Sequence, residues 1–168
     1  MLGVTEDPEV WAQCFLALGQ LMEDVPDFPA AIGFYRQGLQ LEPADRRTWY
    51  LLNNNLGFCF NEVGKHPEAE GYCRQAIGID PNRHNAYKNL GISLAGQGQY
   101  GEAIRCLIQA TQVNPRNSRA LHHLDEILES HPEIATEMRE LAQQVEACRK
   151  AVWQALHPDS DDVLHNKG

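Results

Sequence analysis

Apolar and small residues recur at fixed distances from three glycines, Gly19, Gly57 and Gly91. Each glycine follows a leucine; a large apolar residue, an alanine, a small residue and a proline then follow in the same order. These columns are Leu18, Leu56 and Leu90; Met22, Phe60 and Leu94; Ala31, Ala69 and Ala103; Gly38, Ala76 and Ala110; and Pro43, Pro81 and Pro115. The last two glycines lie 34 residues apart. Repetition at this period predicts a solenoid of helix–turn–helix units.

Each unit divides into two predicted helices. The first unit is predicted to hold helices over 8–24 and 28–41, and the third over 85–97 and 100–113. In the second unit the first helix is expected to end at Gly64, and the second to begin near Pro67, since proline is tolerated in a first turn. Four extra residues precede the second unit, and one added helical turn starting near Asp45 would accommodate them.

After Pro115 the repeat pattern weakens. Leu121, Leu124 and Leu128 keep the apolar stripe of a fourth first helix, and a longer helix is predicted over 133–156 because its apolar residues step by three or four. We therefore expect one domain over 1–156, with repeats at about 8–45, 46–83 and 84–117 and capping helices over 118–156. Residues 157–168 are polar and are expected to form a mobile tail.

This pattern resembles the tetratricopeptide repeat family. The third unit carries the resemblance best, and its matching residues are Tyr87, Leu90, Gly91, Leu94, Ala103, Leu107, Ala110 and Pro115. The resemblance implies an all-α, right-handed superhelical solenoid of antiparallel helix pairs, closed by a long C-terminal capping helix. It also implies a binding function, because solenoids expose long concave surfaces.

In that family, one face of each first helix lines the concave groove. In this chain the corresponding residues are Gln13, Leu16, Gln20 and Glu23; Leu51, Asn54, Phe58 and Asn61; Asn85, Lys88, Ile92 and Ala95; and, in the fourth unit, Arg119, His122, Glu126 and Glu129. Three consecutive asparagines, residues 53–55, interrupt this face, although asparagine is a poor helix former. A local rule broken inside an element points to function.

Asn55 and Asn89 occupy equivalent positions in adjacent units. Family members use asparagine there to grip the backbone of a peptide ligand, and an amide offers both a donor and an acceptor. The alternative is that these asparagines are solvated, or that Asn53 bonds within its own packing column. Both interpretations stay open on the sequence alone.

The remaining candidate site residues are charged, polar or apolar members of the same face. Lys88, Arg119 and Asn54, with Asn85, would supply polar contacts, and Leu51, Phe58 and Ile92 would accept apolar side chains or belong to the core. The family's five-residue Lys/Asn/Arg clamp for acidic C-terminal tails matches this chain only at Asn55, because Leu16, Gln20, Asn85 and Asn89 replace its other members.

Composition narrows the function classes. The net charge of −9 disfavours nucleic acid as a partner, and no segment is apolar and long enough for membrane insertion. The N-terminus lacks the pattern of a secretory signal. The five cysteines, odd in number and scattered, indicate buried small hydrophobes in a reducing compartment, so we expect a cytoplasmic location.

No catalytic constellation stands out, and neither an enzyme, a cofactor nor a metal site is predicted; adjacent His122 and His123 cannot chelate as a pair spaced by four would. The sequence therefore predicts an adaptor or scaffold that binds an extended peptide or partner segment in the groove, with chaperone-like cargo binding as a specific form. The alternative is a homo-oligomeric structural scaffold that assembles through its C-terminal helix or its groove.

Overall fold

A computed structural model of the protein describes residues 7–137 and 139–158, and this part of the chain is all-helical. The helices are α1 Pro8–Asp24, α2 Phe28–Gln40, α3 Arg46–Glu62, α4 His66–Ile79, α5 His84–Gly96, α6 Tyr100–Val113, α7 Arg119–Ser130, α8 Pro132–Glu137 and α9 Arg139–Leu156. Within the first three units the predicted helices are confirmed to within one or two residues. The predicted long terminal helix appears as α8 and α9, and Met138 between them lies outside the described residues.

Local sequence signals set several of these ends. The side chain of Asp45 accepts hydrogen bonds from the backbone N–H and hydroxyl of Thr48 and so begins α3. Helix α3 has 17 residues and α5 has 13, so the four extra residues do form one added turn. Gly64 and Gly98 follow α3 and α5 with φ of 73° and 76°, a conformation that glycine adopts without strain. Each lets the next helix turn back on the previous one.

The helices stack as antiparallel pairs. Helix α1 packs on α2, α3 on α4 and α5 on α6, and the second helix of each pair packs on the first helix of the next. The first helices also contact one another in the order α1, α3, α5, α7, and so form one continuous row. This row is the surface that carries the candidate site.

Small residues allow the two helices of each pair to pack closely. A Cβ added at Gly57 would lie 2.4 Å from the Cys73 sulfur, and one added at Gly19 would meet the Tyr35 ring at 2.2 Å. Larger side chains would therefore push the paired helices apart. The glycine column of the sequence is thus a packing column.

The C-terminal helix closes the stack. Leu141, Val145 and Cys148 of α9 are buried in one cluster with residues of α6 and α7, and Val152 is also buried, as the stripe predicts. Leu156, predicted to continue that stripe, is instead exposed, as is Trp153. The helix therefore caps the last pair along most of its length and leaves two large apolar residues at its end. Of the predicted mobile tail, 159–168 lies outside the described residues.

Candidate functional site

The row of first helices holds a shallow pocket of about 210 Å³ at the middle of the groove. Its lining includes Glu23 of α1 and most of the predicted site residues. These are Asn54, Asn55, Phe58, Asn85, Lys88, Asn89 and Arg119. The helical stack thus brings together side chains from α1, α3, α5 and the start of α7.

The asparagines of this pocket form a chain of hydrogen bonds across two helices. The Asn89 Nδ2 donates to the Asn54 Oδ1 at 3.2 Å, and the Asn54 Nδ2 donates to the Asn55 Oδ1 at 3.1 Å. The Asn55 Nδ2 then donates to the Tyr35 hydroxyl at 3.2 Å. Asn54 and Asn89 are buried, whereas Asn55 is half-buried. A ligand in the groove therefore meets Asn55 first, with the other two amides beneath it.

The chain of donors ends at a carboxylate. The Tyr35 hydroxyl donates to Glu23 Oε1, and the Cys59 thiol lies 3.7 Å from the same oxygen. Burial raises the pKa of Glu23 from its usual value, although both hydrogen bonds act to lower it. Burial, and then the hydrogen bond to Glu23, raises the pKa of Tyr35, so the phenol is a donor at neutral pH. Each amide consequently points its N–H toward the carboxylate.

One acceptor in this network is left over. The Asn89 Oδ1 is buried and has no hydrogen-bond partner among the described residues, while its Nδ2 is held by Asn54. The backbone oxygen of Asn89 is well satisfied, because it accepts from Asn61 Nδ2 at 2.9 Å and from the Ser93 hydroxyl at 2.9 Å. A buried amide oxygen without a hydrogen bond costs about 1–3 kcal/mol of stability. The site therefore contains one buried acceptor that lacks a hydrogen-bond donor among the described residues.

The opposite end of the pocket is positive. Lys88 is half-buried, Arg119 is exposed, and neither forms an ion pair within the described parts of the chain. Burial, and then the neighbouring positive charge of Arg119, lowers the pKa of Lys88. Asn85 lines the same end and is exposed. The pocket is therefore polarised, with a carboxylate at α1 and two cations at α5 and α7.

The asparagine run has different roles at its three positions. Asn53 lies on the packing side of α3, where its Nδ2 donates to the Trp49 carbonyl at 2.9 Å and its side chain is buried. The internal bonding considered for Asn53 is therefore what the structure shows. Asn54 and Asn55 instead belong to the groove network. Of the three adjacent asparagines, Asn53 is therefore a packing residue, and Asn54 and Asn55 are groove residues.

The three apolar residues predicted for the site lie in different surroundings. Phe58 lines the pocket, and its ring meets Phe28 edge-on at a centroid distance of 5.9 Å. Leu51 lies outside the pocket lining and packs against the buried clusters around α3. Ile92 lines a neighbouring cavity of about 310 Å³ between α5, α6 and α7, together with His66, His123 and His131. Of these three predicted residues, Phe58 is therefore the one positioned to meet a ligand in the central pocket.

Two residues of the network were not among the predicted site residues. Glu23 falls on the groove face of the repeat alignment, so the sequence contains a signal for it. Tyr35 lies on α2, behind the groove, and only the packing of α2 against α3 brings its hydroxyl to Asn55. No spacing rule within one helix could have revealed that contact.

The histidines and cysteines have ordinary partners. His122 and His123 both approach Glu126, at 3.3 Å and 2.9 Å. No group of three potential metal ligands occurs in the described residues. The five cysteines are free, and three of them are buried as expected. Cys14 departs from that expectation and is exposed, because it lies on the outer side of α1, which no other described helix covers.

Comparison with known proteins identifies the repeat. Residues 50–116 match the family model described as tetratricopeptide repeat. The chain is 30% identical over 106 residues to the small glutamine-rich tetratricopeptide repeat-containing protein 2 of Mycosarcoma maydis. The match covers 63% of this chain and 29% of that relative, so the chain spans less than a third of the relative's length.

Solved structures give the same architecture. The Hsp90 co-chaperone Cns1 from Saccharomyces cerevisiae superposes with a TM-score of 0.73 at 23% identity, over 96% of this chain and 51% of that one. The second TPR domain of human RPAP3, solved in complex with the HSP70 peptide SGPTIEEVD, gives a TM-score of 0.65 at 25% identity, over 72% and 98%. In the described part of the protein no helix is long and apolar enough to cross a membrane.

Proposed function

Because the chain belongs to the tetratricopeptide repeat family, we propose that it is a protein-interaction module that holds an extended segment of a partner protein along α1, α3, α5 and α7. Solenoids of this kind bind through their concave surface, and the polarised pocket lies at the middle of that surface. The proposed role is binding and not catalysis, with chaperone-like cargo binding as its specific form. A cytoplasmic location stays a prediction.

Two cations that form no ion pair in the described chain carry this proposal. Lys88 and Arg119 both line the groove pocket, and the positive charge of Arg119, after burial, lowers the pKa of Lys88. A carboxylate from a ligand would relieve that repulsion and gain charge-assisted hydrogen bonds from both side chains. We therefore propose that the partner segment places an acidic side chain or a C-terminal carboxylate at this end of the pocket.

Asn55 is the proposed backbone contact. Its Nδ2 uses one hydrogen on Tyr35, and its Oδ1 accepts once from Asn54. An amide has two donor hydrogens and two acceptor positions, so one of each remains for a ligand. That remaining pair matches the C=O and N–H of a peptide unit. In this proposal Asn54 and Asn89 hold the Asn55 amide in place, and Asn89 contacts the ligand only if Asn54 moves aside.

The relatives support this class of ligand without fixing its sequence. The RPAP3 domain was solved with a peptide that ends in acidic residues, and the first TPR of Spaghetti was solved with the HSP90 peptide SRMEEVD. The present chain lacks most of the clamp that the family uses for such tails, but it offers Lys88 and Arg119 at other positions. We therefore propose an acid-bearing segment of a different sequence.

A displayed library of random peptides tests the proposal. Selection on the full chain should enrich peptides with an aspartate, a glutamate or a free C-terminus, and Lys88→Met with Arg119→Met should abolish their binding. The matched control is Arg105→Met with Lys150→Met, which removes the same charge from exposed positions on α6 and α9. Peptides that show no acidic preference, or that bind both double variants equally well, would contradict the proposed site.

Self-association stays a second prediction. Trp153 and Leu156 at the end of α9 are exposed large apolar residues, and they are the feature of the terminal helix that could pair with another chain. Leu141, Val145 and Cys148 of α9 are already buried against α6 and α7. This leaves a small contact area for an oligomer built on α9 alone.

A further inference from the structure

A second cavity opens on the groove beside the central pocket. It has a volume of about 310 Å³, and its lining includes Ile92 and Ala95 of the groove face. Lys88 of the central pocket lies one helical turn before Ile92 on α5, and Arg119 lies one turn before His123 on α7. The two cavities therefore share α5 and α7 as walls. We name this second space, lined by Ile92, Ala95 and His123, the α5–α7 cavity.

The internal repeats show how this cavity arises. The third unit carries Ala95 and Gly96 at the fourth and fifth positions after its repeat glycine, and both residues line the cavity. The first two units carry larger polar residues at these positions: Glu23, Asp24, Asn61 and Glu62. Gly96 has ordinary helical backbone geometry, where alanine would be more stable than glycine. Its missing side chain therefore serves the space beside it and not the helix.

The space at Gly96 exposes a hydrogen-bond acceptor. A Cβ added there would lie 2.4 Å from the His66 Cδ2 and 2.5 Å from the His66 Nε2. The His66 Nδ1 lies 3.2 Å from the Asn61 Oδ1, which is fixed as an acceptor because the Asn61 Nδ2 donates to the Asn89 carbonyl. Neutral His66 therefore carries its proton on Nδ1 and presents the Nε2 lone pair beside Gly96. No donor within the described chain bonds this Nε2.

The rest of the cavity surface is mainly apolar. Leu107 and Ile127 are buried, and Ile92 and Tyr100 are half-buried. The His131 ring packs on Tyr100 at a centroid distance of 4.0 Å. A mainly apolar cavity with a few polar groups is typical of a ligand site. An aromatic ring with a donor at its edge fits such a site, because tyrosine and tryptophan bury an apolar body and still need a hydrogen-bond partner.

Helix geometry sets the separation of the two cavities. Ile92 and Ala95 follow Lys88 by four and seven residues on α5, which is about 6 and 10 Å along the helix. An extended segment advances about 3.3 Å per residue. A segment whose acid meets Lys88 and Arg119 therefore reaches the α5–α7 cavity with a side chain about two to four residues away.

We propose that the α5–α7 cavity binds a tyrosine or tryptophan side chain of the same partner segment that places its acid at Lys88 and Arg119. The inference rests on the proposed function, because continuity with the central pocket identifies the occupant. The aromatic ring packs against Ile92 and the buried apolar residues, and its O–H or N–H donates to the His66 Nε2. The groove thus recognises an acidic and an aromatic side chain at a set spacing.

The random peptide library that tests the groove also tests this inference. Peptides that bind the full chain but not the Lys88→Met, Arg119→Met variant should carry tyrosine or tryptophan about two to four residues from the acid. Gly96→Gln places a side chain in the cavity and should weaken these peptides at least about tenfold, since a buried ring loses its site. Fluorescence anisotropy with labelled peptides measures the change.

The matched control makes the same substitution where no cavity is affected. Gly71 lies on α4, and a Cβ added there meets nothing within 4 Å. Gly71→Gln should leave peptide binding within about twofold of the unchanged chain. Melting temperatures of both glutamine variants check that they fold.

The His66 acceptor has a test of its own. Phenylalanine in place of the peptide's tyrosine, or naphthylalanine in place of its tryptophan, should weaken binding about two- to tenfold, the range of one net hydrogen bond. His66→Phe keeps an aromatic ring and removes Nε2, so both forms of the peptide should bind this variant equally. The comparison cancels any change in packing, because that change affects both peptides. A loss as large on the variant as on the unchanged chain would overturn the role of His66.

Three results would overturn the inference and leave the proposed function intact. The first is a set of peptides that need Lys88 and Arg119 but lack an aromatic residue at this spacing. The second is equal binding to the Gly96→Gln and Gly71→Gln variants. The third is binding of N-acetyltyrosinamide as tight as that of the peptides, which would assign the cavity to a free aromatic molecule. Peptides that bind equally well without Lys88 and Arg119 would instead contradict the proposed function.

Discussion

Gly91 of α5 lies directly against Leu107 of α6, so close that an added Cβ would stand 2.6 Å from the Leu107 Cγ and 3.2 Å from the Ala103 carbonyl oxygen. The nearer atom is the branch carbon of a fully buried leucine, which cannot move aside without disturbing its neighbours. This contact fixes the separation of the two helices in the third pair.

Gly91→Ala should therefore lower the free energy of unfolding by about 1–3 kcal/mol, because overpacking outweighs the gain in helix propensity. The matched control is Gly71→Ala on α4, where an added Cβ meets nothing within 4 Å. That change should stabilise the protein by about 0.5–1 kcal/mol. Urea denaturation measures both. Equal stabilisation by the two changes would show that α5 and α6 are not this close.

The Asn54–Asn89 hydrogen bond should appear as an energetic coupling. Asn54→Ala or Asn89→Ala alone should cost about 1–3 kcal/mol, because each leaves a buried polar partner without its bond. The double variant should cost less than the sum of the two, by about 0.5–3 kcal/mol. Thermal or urea unfolding of the four proteins gives the coupling. Strict additivity would mean that the two amides do not interact.

Glu23 should make stability depend on pH in a stated direction. Its pKa in the folded protein is raised above the usual 4.5, mainly by burial. The folded state therefore binds more protons than the unfolded state between these two values, and the Glu23 contribution favours folding more as the pH falls through the raised pKa. Above it, the buried carboxylate costs stability.

Glu23→Gln keeps an acceptor for Tyr35 and removes that charge. The variant should gain stability relative to the unchanged protein at neutral pH, and the gain should shrink as the pH falls through the raised pKa toward 4.5. Glu140→Gln, which removes an exposed charge from α9, controls for the change in net charge. Melting curves across this range measure the difference. A gain that grows on acidification would be inconsistent with a raised pKa at Glu23.

The repeat columns were enough to predict the helices, because each column has a local or nearest-neighbour cause. Glycine and alanine mark crossings within one pair, as at Gly57 and Cys73, and Asp45 begins α3 through a bond only three residues long. The added turn of α3 also followed from counting residues. The residues that converge on the central pocket were mostly predicted from the spacing of the groove face.

Spacing could not predict which of those residues reach the surface. Asn54, Asn55 and Asn89 occupy similar positions, yet only Asn55 is half-buried, and the other two bond to each other across α3 and α5. Leu51 and Ile92 likewise lie outside the central pocket. The rotation of each helix relative to its neighbours decides where a residue at the edge of the groove face points. The repeat spacing therefore predicts which face of a helix a residue lies on, but not how deeply its side chain is buried.

The sequence by itself was enough to predict a helical solenoid closed by a C-terminal helix, since its small and apolar columns recur at the spacing of paired helices. Only the tertiary structure decided the direction of the hydrogen-bond chain from Asn89 to Glu23, the meeting of Lys88 with Arg119, and the exposure of Leu18. These features depend on contacts between helices, or on the absence of a covering helix among the described residues. Leu18 makes the point most simply, because it occupies the same column as Leu56 and Leu90, and only the lack of a neighbour in the described chain makes it a surface residue.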